Sequence, residues 1–297
     1  MLGRRIARLK RRFRRWRKKK EALDRTPGNV GRFVFIGGLH RSGTTILHAL
    51  LRDMPDVSGL EDTGVAADEG QFLQDVFPPA AAFGGPGEFA FHEEAHMTED
   101  SPLVTPENRD RILRQWGPYL DLSRPVYLEK SPPNLVRSRF LQALFPGSAS
   151  VFLVRHPVAV SLATEKWSDR TLLELFLHWR VAHLRLLKDL DHLDRALLLR
   201  YEDFVEEPEA CLRRVCEAVG VPFTPPRQEV YDANEKYFHR WREEHEGKAG
   251  LLRELGLDDG LETFGYALEP PFVGPVPEGG PVETIATGGL NTGSAPA

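Results

Sequence analysis

The chain has 297 residues, 41% of them hydrophobic, which is enough apolar material for one α/β domain with a full core. No apolar run approaches the roughly 18 residues that cross a bilayer, so an integral membrane protein is not expected. The net charge is −4. The two cysteines, Cys211 and Cys216, form neither a CxxC pair nor a disulfide framework, so a reducing, cytoplasmic compartment is expected.

The first 20 residues are strongly basic, whereas the rest of the chain is acidic. They hold 12 Lys or Arg and no acid, and the other 277 residues carry 27 bases against 43 acids. Apolar residues recur three or four positions apart in this arm, at Ile6, Leu9, Phe13 and Trp16. A helix with this spacing suits an anionic membrane surface, with the protein peripheral to it, and a solvated disordered tail is the other interpretation. Nucleic acid is not an expected partner, because the acidic body would repel it.

The stretch FVFIGGLHRSGTTILHALL, residues 33 to 51, predicts a buried strand, a glycine-bearing loop and a helix. Gly38 and Gly43 keep the Gly-x-x-x-x-Gly spacing of a phosphate-binding loop, but Thr44 stands where the usual lysine would be. The loss of that lysine argues against ATP or GTP as a phosphoryl donor. The loop still has one cation, Arg41, with hydroxyls, backbone N–H groups and a helix N-terminus, which suit a phosphate whose leaving bond needs no magnesium.

Strands and helices alternate along the rest of the chain. Residues 56 to 110 form a long excursion, and its part from 63 to 110 predicts an insert that shapes a site. Strands are predicted within PVYLEKSPPN, at Ser150–Val154 and within RALLLRYEDFV, and helical patterns follow them, one of them from Val158 to about Leu190. This alternation predicts an α/β fold with a parallel central sheet flanked by helices.

Three polar segments fall where predicted strands end: GGLHRSGTT, EKSPPN and RHP. Ligands of parallel sheets bind beyond the carboxyl ends of the strands, so one site is expected at this edge. The predicted organisation is a basic arm at 1–28, a domain at 29–269 and a disordered Pro/Gly-rich tail at 270–297.

The loop motif HRSGTT resembles the 5′-phosphosulfate loop of sulfotransferases, which use 3′-phosphoadenosine 5′-phosphosulfate (PAPS) as donor. FLVRHPVAVS resembles the family's 3′-phosphate site, and LRYEDFVEEPEACLRRVCEAVGV its later strand–helix segment. YLEKSPPN resembles a stretch of Golgi-type carbohydrate and tyrosylprotein sulfotransferases, and MPDVSGLEDTG the segment that carries the catalytic glutamate of the tyrosylprotein enzymes. Together the motifs cover about residues 32 to 223 in the family's order. The resemblance implies a P-loop-like fold that transfers the sulfuryl group of PAPS to an acceptor hydroxyl and releases PAP, without a metal.

The resemblance also implies which residues bind the donor. They are Arg41, Ser42, Gly43, Thr44, Thr45, Arg155, Ser161 and Tyr201. The loop residues could also simply cap the helix, since capping and phosphate binding use the same N–H groups. Arg155 ends a buried strand, where a cation needs an anionic partner, either the 3′-phosphate or a structural ion pair. Tyr201 would lie near the adenine, or else bond to backbone.

Ser161 departs from the family pattern. The usual helical serine stands eight residues after the arginine, but position 163 is Ala and Ser161 stands six residues after it. A shift of two residues rotates a helical side chain by about 200°. Ser161 therefore reaches the 3′-phosphate only if the turn before it differs from the family's.

The resemblance assigns Lys130, together with Arg41, to the charge that develops on the transferring sulfuryl group. The alternative for Lys130 is a solvated lysine paired with Glu129.

The general base is implied by the same resemblance. The catalytic glutamate of the tyrosylprotein enzymes falls on Asp62, with Glu61 beside it, and Asp68 and Glu69 follow in the same acidic segment. A base is needed to accept the proton of the acceptor hydroxyl. His40 is a further, weaker candidate.

Two other functions stay open at this point. One is a P-loop kinase acting on a small molecule, and the other is a nucleotide-binding or membrane-associated scaffold without turnover. The motifs leave the acceptor as a carbohydrate, a glycolipid or tyrosine.

Overall fold

The computed structural model describes residues 31–245, 247–282 and 285–287. Their strands are β1 (Arg32–Gly37), β2 (Val57–Gly59), β3 (Val126–Lys130), β4 (Ala149–Val154), β5 (Arg195–Arg200) and β6 (Ile285–Thr287). They form one sheet in the order β2-β3-β1-β4-β5-β6. The first five strands run parallel, and β6 pairs antiparallel with β5 at the edge. The predicted parallel central sheet is confirmed.

Nine α-helices occur among the described residues. They are α1 (Thr44–Arg52), α2 (Pro106–Trp116), α3 (Ser138–Leu144), α4 (Pro157–Thr164), α5 (Leu172–Leu190), α6 (Tyr201–Glu206), α7 (Pro208–Val219), α8 (Glu235–Glu244) and α9 (Lys248–Glu254). The helical pattern predicted from Val158 is divided into α4 and α5, because Thr171 and Glu174 form a capping box that starts a new helix. The strand predicted through RALLLRYEDFV ends at Arg200, and the remaining residues form α6.

Both faces of the sheet are covered, which explains why its strands are continuous apolar runs. Along β1, Phe33 and Phe35 pack with Trp116 in an aromatic cluster on one face. Val34 and Ile36 point to the other face and pack in the cluster that includes α1 and α7. Burial of each such side chain contributes about 1.5–3 kcal/mol to the stability of the fold. This packing fixes the carboxyl ends of the central strands relative to one another.

The excursion between β2 and α2 contains only short 3₁₀ turns, yet it is fixed to the body at several points. The Trp116 indole donates to the carbonyl oxygen of Gly70 at 3.0 Å. His96 Nε2 lies 2.9 Å from Asp189 on α5, and Arg185 on α5 pairs with Glu93. The predicted insert is therefore packed along α5 rather than projecting from the sheet.

The described part of the predicted tail is packed rather than disordered. Phe272 and Val282 are buried in the core cluster, and β6 adds a strand to the sheet. The prediction at Pro270 rested on Pro and Gly content and overlooked these apolar residues. The basic arm at 1–28 lies outside the described residues. None of the described helices is long and apolar enough to cross a membrane.

Candidate active site

The loop between β1 and α1 passes close to neighbouring elements. A Cβ at Gly38 would lie 2.6 Å from the carbonyl oxygen of Leu153, and a Cβ at Gly43 would lie 2.7 Å from the ring of Tyr201. Gly43 also has a φ of 95°, in the left-handed region that other residues rarely adopt. Both positions therefore need glycine. Directly afterwards α1 begins, where the first N–H groups of a helix have no partner inside it. The Ile46 N–H already donates to the carbonyl oxygen of Gly43 at 3.1 Å.

The side chains of this loop differ in exposure. Arg41 and Thr45 are exposed, whereas Ser42 and Thr44 are buried. The Ser42 N–H donates to the carbonyl oxygen of Leu39 at 3.1 Å and so points into the loop. The Ser42 hydroxyl is buried and has no hydrogen-bond partner among the described residues. The loop thus offers a guanidinium, helix N–H groups and one unpaired hydroxyl to a ligand.

Arg155 follows β4 directly and is 5% exposed. Its Nη1 donates to the carbonyl oxygen of Arg41 at 2.7 Å, and its Nε donates to Oδ1 of Asn234 at 2.7 Å. The guanidinium lies 4.2 Å from the centre of the Tyr201 ring. Its Nη2 is buried without a partner in the described part of the chain, and burial lowers the pKa of Arg155. Its hydrogen bonds thus go to a carbonyl and an amide, and one donor is left for an anion.

Tyr201 and Asn234 connect the Arg155 guanidinium to the later part of the chain. The Tyr201 hydroxyl donates to the carbonyl oxygen of Tyr231 and accepts from the N–H of Ala233, both at 3.2 Å. Tyr201 is therefore bonded to backbone, as one interpretation predicted, while its ring also lies against the loop. The Asn234 amide donates to Oε1 of Glu202 at 2.7 Å. Sequence reasoning missed Asn234, for which the only signal was an amide directly before a helix.

Lys130 is at the end of β3 and is 1% exposed. Its Nζ lies 3.0 Å from Oε1 of Glu69. Glu129, the partner expected in the alternative interpretation, instead accepts from the Ser131 hydroxyl at 2.6 Å and from the N–H of Gly70 at 2.9 Å. Burial raises the pKa of Glu129. The alternative interpretation, a solvated Lys130 paired with Glu129, is therefore wrong, because Lys130 is buried and its ammonium contacts Glu69.

The other acids of the segment lie differently. Glu61 is 3.9 Å from Arg52, a partly exposed pair. Asp62 is exposed, with a φ of 53°. Asp68 accepts from the N–H of Thr63 at 2.9 Å and from its hydroxyl at 2.5 Å, and so closes a local turn. Within the described residues, no group of three or more His, Cys, Asp or Glu is arranged for a metal ion.

Ser161 lines a small cavity with His40 and His178 rather than sharing the partners of Arg155. The Ser161 hydroxyl and His40 Nδ1 are buried without a partner among the described residues. Burial, and then the charges of Lys130 and Arg41, lower the pKa of His40 to about 4. Burial lowers the pKa of His178 to about 3. Both imidazoles are therefore neutral at pH 7 and can accept hydrogen bonds.

The model of the sulfotransferase family matches residues 34–225, about two thirds of the chain. Sulfotransferase STF1 from Mycobacterium tuberculosis H37Rv is similar in structure, with 16% identity, a TM-score of 0.50 and coverage of 82% of this chain and 79% of that one. A sulfotransferase from Alicyclobacillus acidocaldarius has 18% identity, a TM-score of 0.46 and coverage of 76% and 95%. The sulfotransferase domain of the Synechococcus PCC 7002 olefin synthase has 20% identity, a TM-score of 0.45 and coverage of 74% and 90%.

No curated protein matches the sequence significantly. At these identities the likeness to solved structures shows the fold, and the match of the family model shows the family. The chain belongs to the sulfotransferase family.

Proposed function

We propose that the protein transfers the sulfuryl group of PAPS to an acceptor hydroxyl and releases PAP. The observation that carries the proposal is the buried guanidinium of Arg155, held beside the phosphate-type loop with its Nη2 unpaired in the described residues. Buried polar groups in proteins nearly always have partners, so an open donor at a strand end favours an anionic ligand. PAPS carries anionic groups at both its 5′ and 3′ positions.

The loop and Arg155 bind different groups of the donor. Arg41 and the N–H groups from Gly43 to Thr45 hold the 5′-phosphosulfate at the N-terminus of α1, where the helix dipole favours negative charge. Arg155 holds the 3′-phosphate through its open Nη2. Tyr201 lies on the adenine side, and Ser42 supplies a hydroxyl.

Lys130 and Arg41 supply positive charge at the reacting centre. The acceptor oxygen attacks sulfur in line, and the bond from sulfur to the bridging oxygen breaks, so that its electron pair passes to the phosphate of PAP. Lys130 and Arg41 stabilise the charge that develops on the bridging and sulfuryl oxygens. An acid of the 61–69 segment takes the proton of the acceptor.

The acceptor belongs to one of three classes: carbohydrate, glycolipid or tyrosine. The insert at 63–110, within the proposed domain at 29–269, shapes the acceptor site. The basic arm at residues 1–20 would place the enzyme at an anionic membrane surface, in the cytoplasm. That placement favours a glycolipid among the three classes.

The function is tested with ³⁵S-labelled PAPS and a panel of the three acceptor classes. Label should pass to at least one class without added metal, and Lys130→Met should lower the transfer by about 10²-fold or more. The matched control Lys188→Met, an exposed lysine on α5, should leave it unchanged. If γ-³²P-labelled ATP with magnesium labels an acceptor and PAPS does not, the protein is a kinase.

A further inference from the structure

The Lys130–Glu69 ion pair lies where the proposed chemistry takes place. Lys130 stands opposite Ile36 on β1, directly before the two glycines that open the loop. Burial, and then the charge of Lys130, lower the pKa of His40 in the loop and of His48 on α1. Glu69 touches this ammonium at 3.0 Å, and both side chains are at least nine-tenths buried. The pair therefore places a carboxylate beside the loop that would hold the phosphosulfate.

The Glu69 carboxylate is also fixed from its other side. The Gln71 amide donates to its Oε2 at 2.6 Å. Gln71 is itself held, because its N–H donates to the Ser131 hydroxyl at 3.1 Å and its Oε1 accepts from the N–H of Ala80 at 2.8 Å. A carboxylate has about four lone-pair positions, so these two contacts leave capacity for about two more donors.

The neighbouring acids are engaged elsewhere. Asp68 closes the turn at Thr63, and Glu61 faces Arg52 on the partly exposed side of the segment. Glu129 is buried, accepts from the Ser131 hydroxyl and the N–H of Gly70, and has its pKa raised by burial. The Glu69 carboxylate is in hydrogen-bond contact with Lys130 at 3.0 Å.

We propose that Glu69, rather than Asp62, is the general base, an assignment that rests on the sulfotransferase function proposed above. Its carboxylate accepts the proton of the acceptor hydroxyl as the bond from that oxygen to sulfur forms. The bond from sulfur to the bridging oxygen breaks, and its electron pair leaves with PAP. Lys130 stabilises that leaving oxygen, and the proton on Glu69 then passes to solvent. The buried pair thus combines base and electrostatic catalyst in one contact.

Charged and titratable groups face Glu69 from several elements. Lys130, His40 and His48 lie on the side of the loop and α1, and Asp68 and Glu129 lie on its own segment and on β3. The pKa of His40 is lowered to about 4 and that of His48 to about 3, first by burial. These histidines also take up protons as the pH falls. A loss of rate in acid can therefore be assigned to one residue only by comparing variants.

The test measures release of ³⁵S-sulfate from PAPS, with water as acceptor, from pH 4 to 9, and PAP affinity by calorimetry. Glu69→Gln should keep PAP affinity within about threefold of the wild type, because PAP lacks the sulfuryl group. Its rate at pH 7 should fall by about 10²–10³-fold and lose the acid limb, as expected for removal of a general base. The exposed control Glu209→Gln should match the wild type.

Glu69→Asp provides the second variant, because Glu69→Gln leaves Lys130 buried without a countercharge and could impair folding. The shorter carboxylate keeps the charge, so we expect an intermediate rate with the acid limb retained. A Glu69→Gln rate within threefold of the wild type, or a larger loss in Asp62→Asn, overturns the assignment. So does a wild type that binds PAP and releases no sulfate. A wild type that does not bind PAP refutes the proposed function itself.

Discussion

The two halves of the site are built in different ways. On the β4 side, Arg155 is fixed by a backbone carbonyl, an amide and an aromatic ring, and keeps one donor open. On the β3 side, Lys130 is paired with a carboxylate from the insert, its Nζ 3.0 Å from Oε1 of Glu69. A binding cation must stay available to its ligand, whereas a catalytic cation must be held in place. The contrast supports the proposal that the β4 side binds the donor and the β3 side carries out the transfer.

Lys130→Met should have the largest effect, and it should act on the rate of transfer rather than on donor binding. Transfer should fall by 10²-fold or more, since an electrostatic catalyst of this kind contributes about 2.7–4 kcal/mol. PAP affinity should change by less than about threefold. Steady-state rates and PAP calorimetry measure the two effects. A parallel loss of PAP affinity would show that Lys130 belongs to the binding half.

Gly43→Ala should disrupt the contact between the loop and Tyr201. Its Cβ would lie 2.7 Å from that ring, at a φ of 95°. Left-handed backbone costs about 1–2 kcal/mol for a residue with a Cβ, and the clash adds to it. Urea unfolding should show a loss of about 2–4 kcal/mol. Gly250→Ala in α9, where nothing lies within 4 Å, is the control and should be neutral or stabilising.

Acid should loosen the contact between the insert and α5. His178 Nε2 accepts from the N–H of Ala90 in the insert at 3.2 Å, and the pKa of His178 is lowered to about 3. The stabilisation by neutral His178 is fully present above pH 6.5, the ordinary pKa, and is lost as the pH falls towards 3. Below pH 6.5 the free energy of opening the insert should drop by up to about 1.4 kcal/mol per pH unit.

Hydrogen exchange of the Ala90 amide at pH 5 and 7, corrected for intrinsic rates, measures this effect. His178→Gln keeps a hydrogen-bond acceptor without titrating, so the pH dependence should shrink in this variant. An unchanged dependence would contradict the role given to His178.

Asn234→Ala should have the smallest effect. It removes the acceptor of Arg155 Nε and the donor to Glu202, each at 2.7 Å. Since Arg155 keeps its bond to the loop carbonyl, PAP affinity should fall by only about three- to tenfold, in line with about 1 kcal/mol for one hydrogen bond. In an Arg155→Ala background the same substitution should change PAP affinity by less than twofold. Additive effects would show that Asn234 acts independently of Arg155.

The parts of the molecule that could be predicted are those encoded locally. The strand–loop–helix at residues 33 to 51 and the strand that ends at Arg155 carry their own apolar periodicity and glycines, so the sheet and its polar edge followed from the sequence. The Tyr201 ring lies beside the Arg155 guanidinium, although its segment is a helix rather than the predicted strand. The sequence pattern of β5 continues past Arg200, but tertiary packing overrides it and the next residues form α6.

The parts that could not be predicted depend on long-range contacts. Glu69 and Lys130 are 61 residues apart, and nothing in the sequence of the insert indicates which of its acids returns to β3. Asn234 lies 79 residues after Arg155. The displacement of Ser161 was visible in the sequence, but its place beside His40 and His178 required the packing of α4 on α5.

Calorimetric titration of PAP into the wild type, Arg155→Ala and the exposed control Arg213→Ala tests the central claim most directly. We predict a saturable PAP site that is weakened at least about 30-fold in Arg155→Ala, consistent with about 2 kcal/mol for a charge-assisted contact, and unchanged in Arg213→Ala. ATP with magnesium should bind the wild type more weakly than PAP. Equal PAP affinity in Arg155→Ala and the wild type, or tighter binding of ATP with magnesium, would contradict the account.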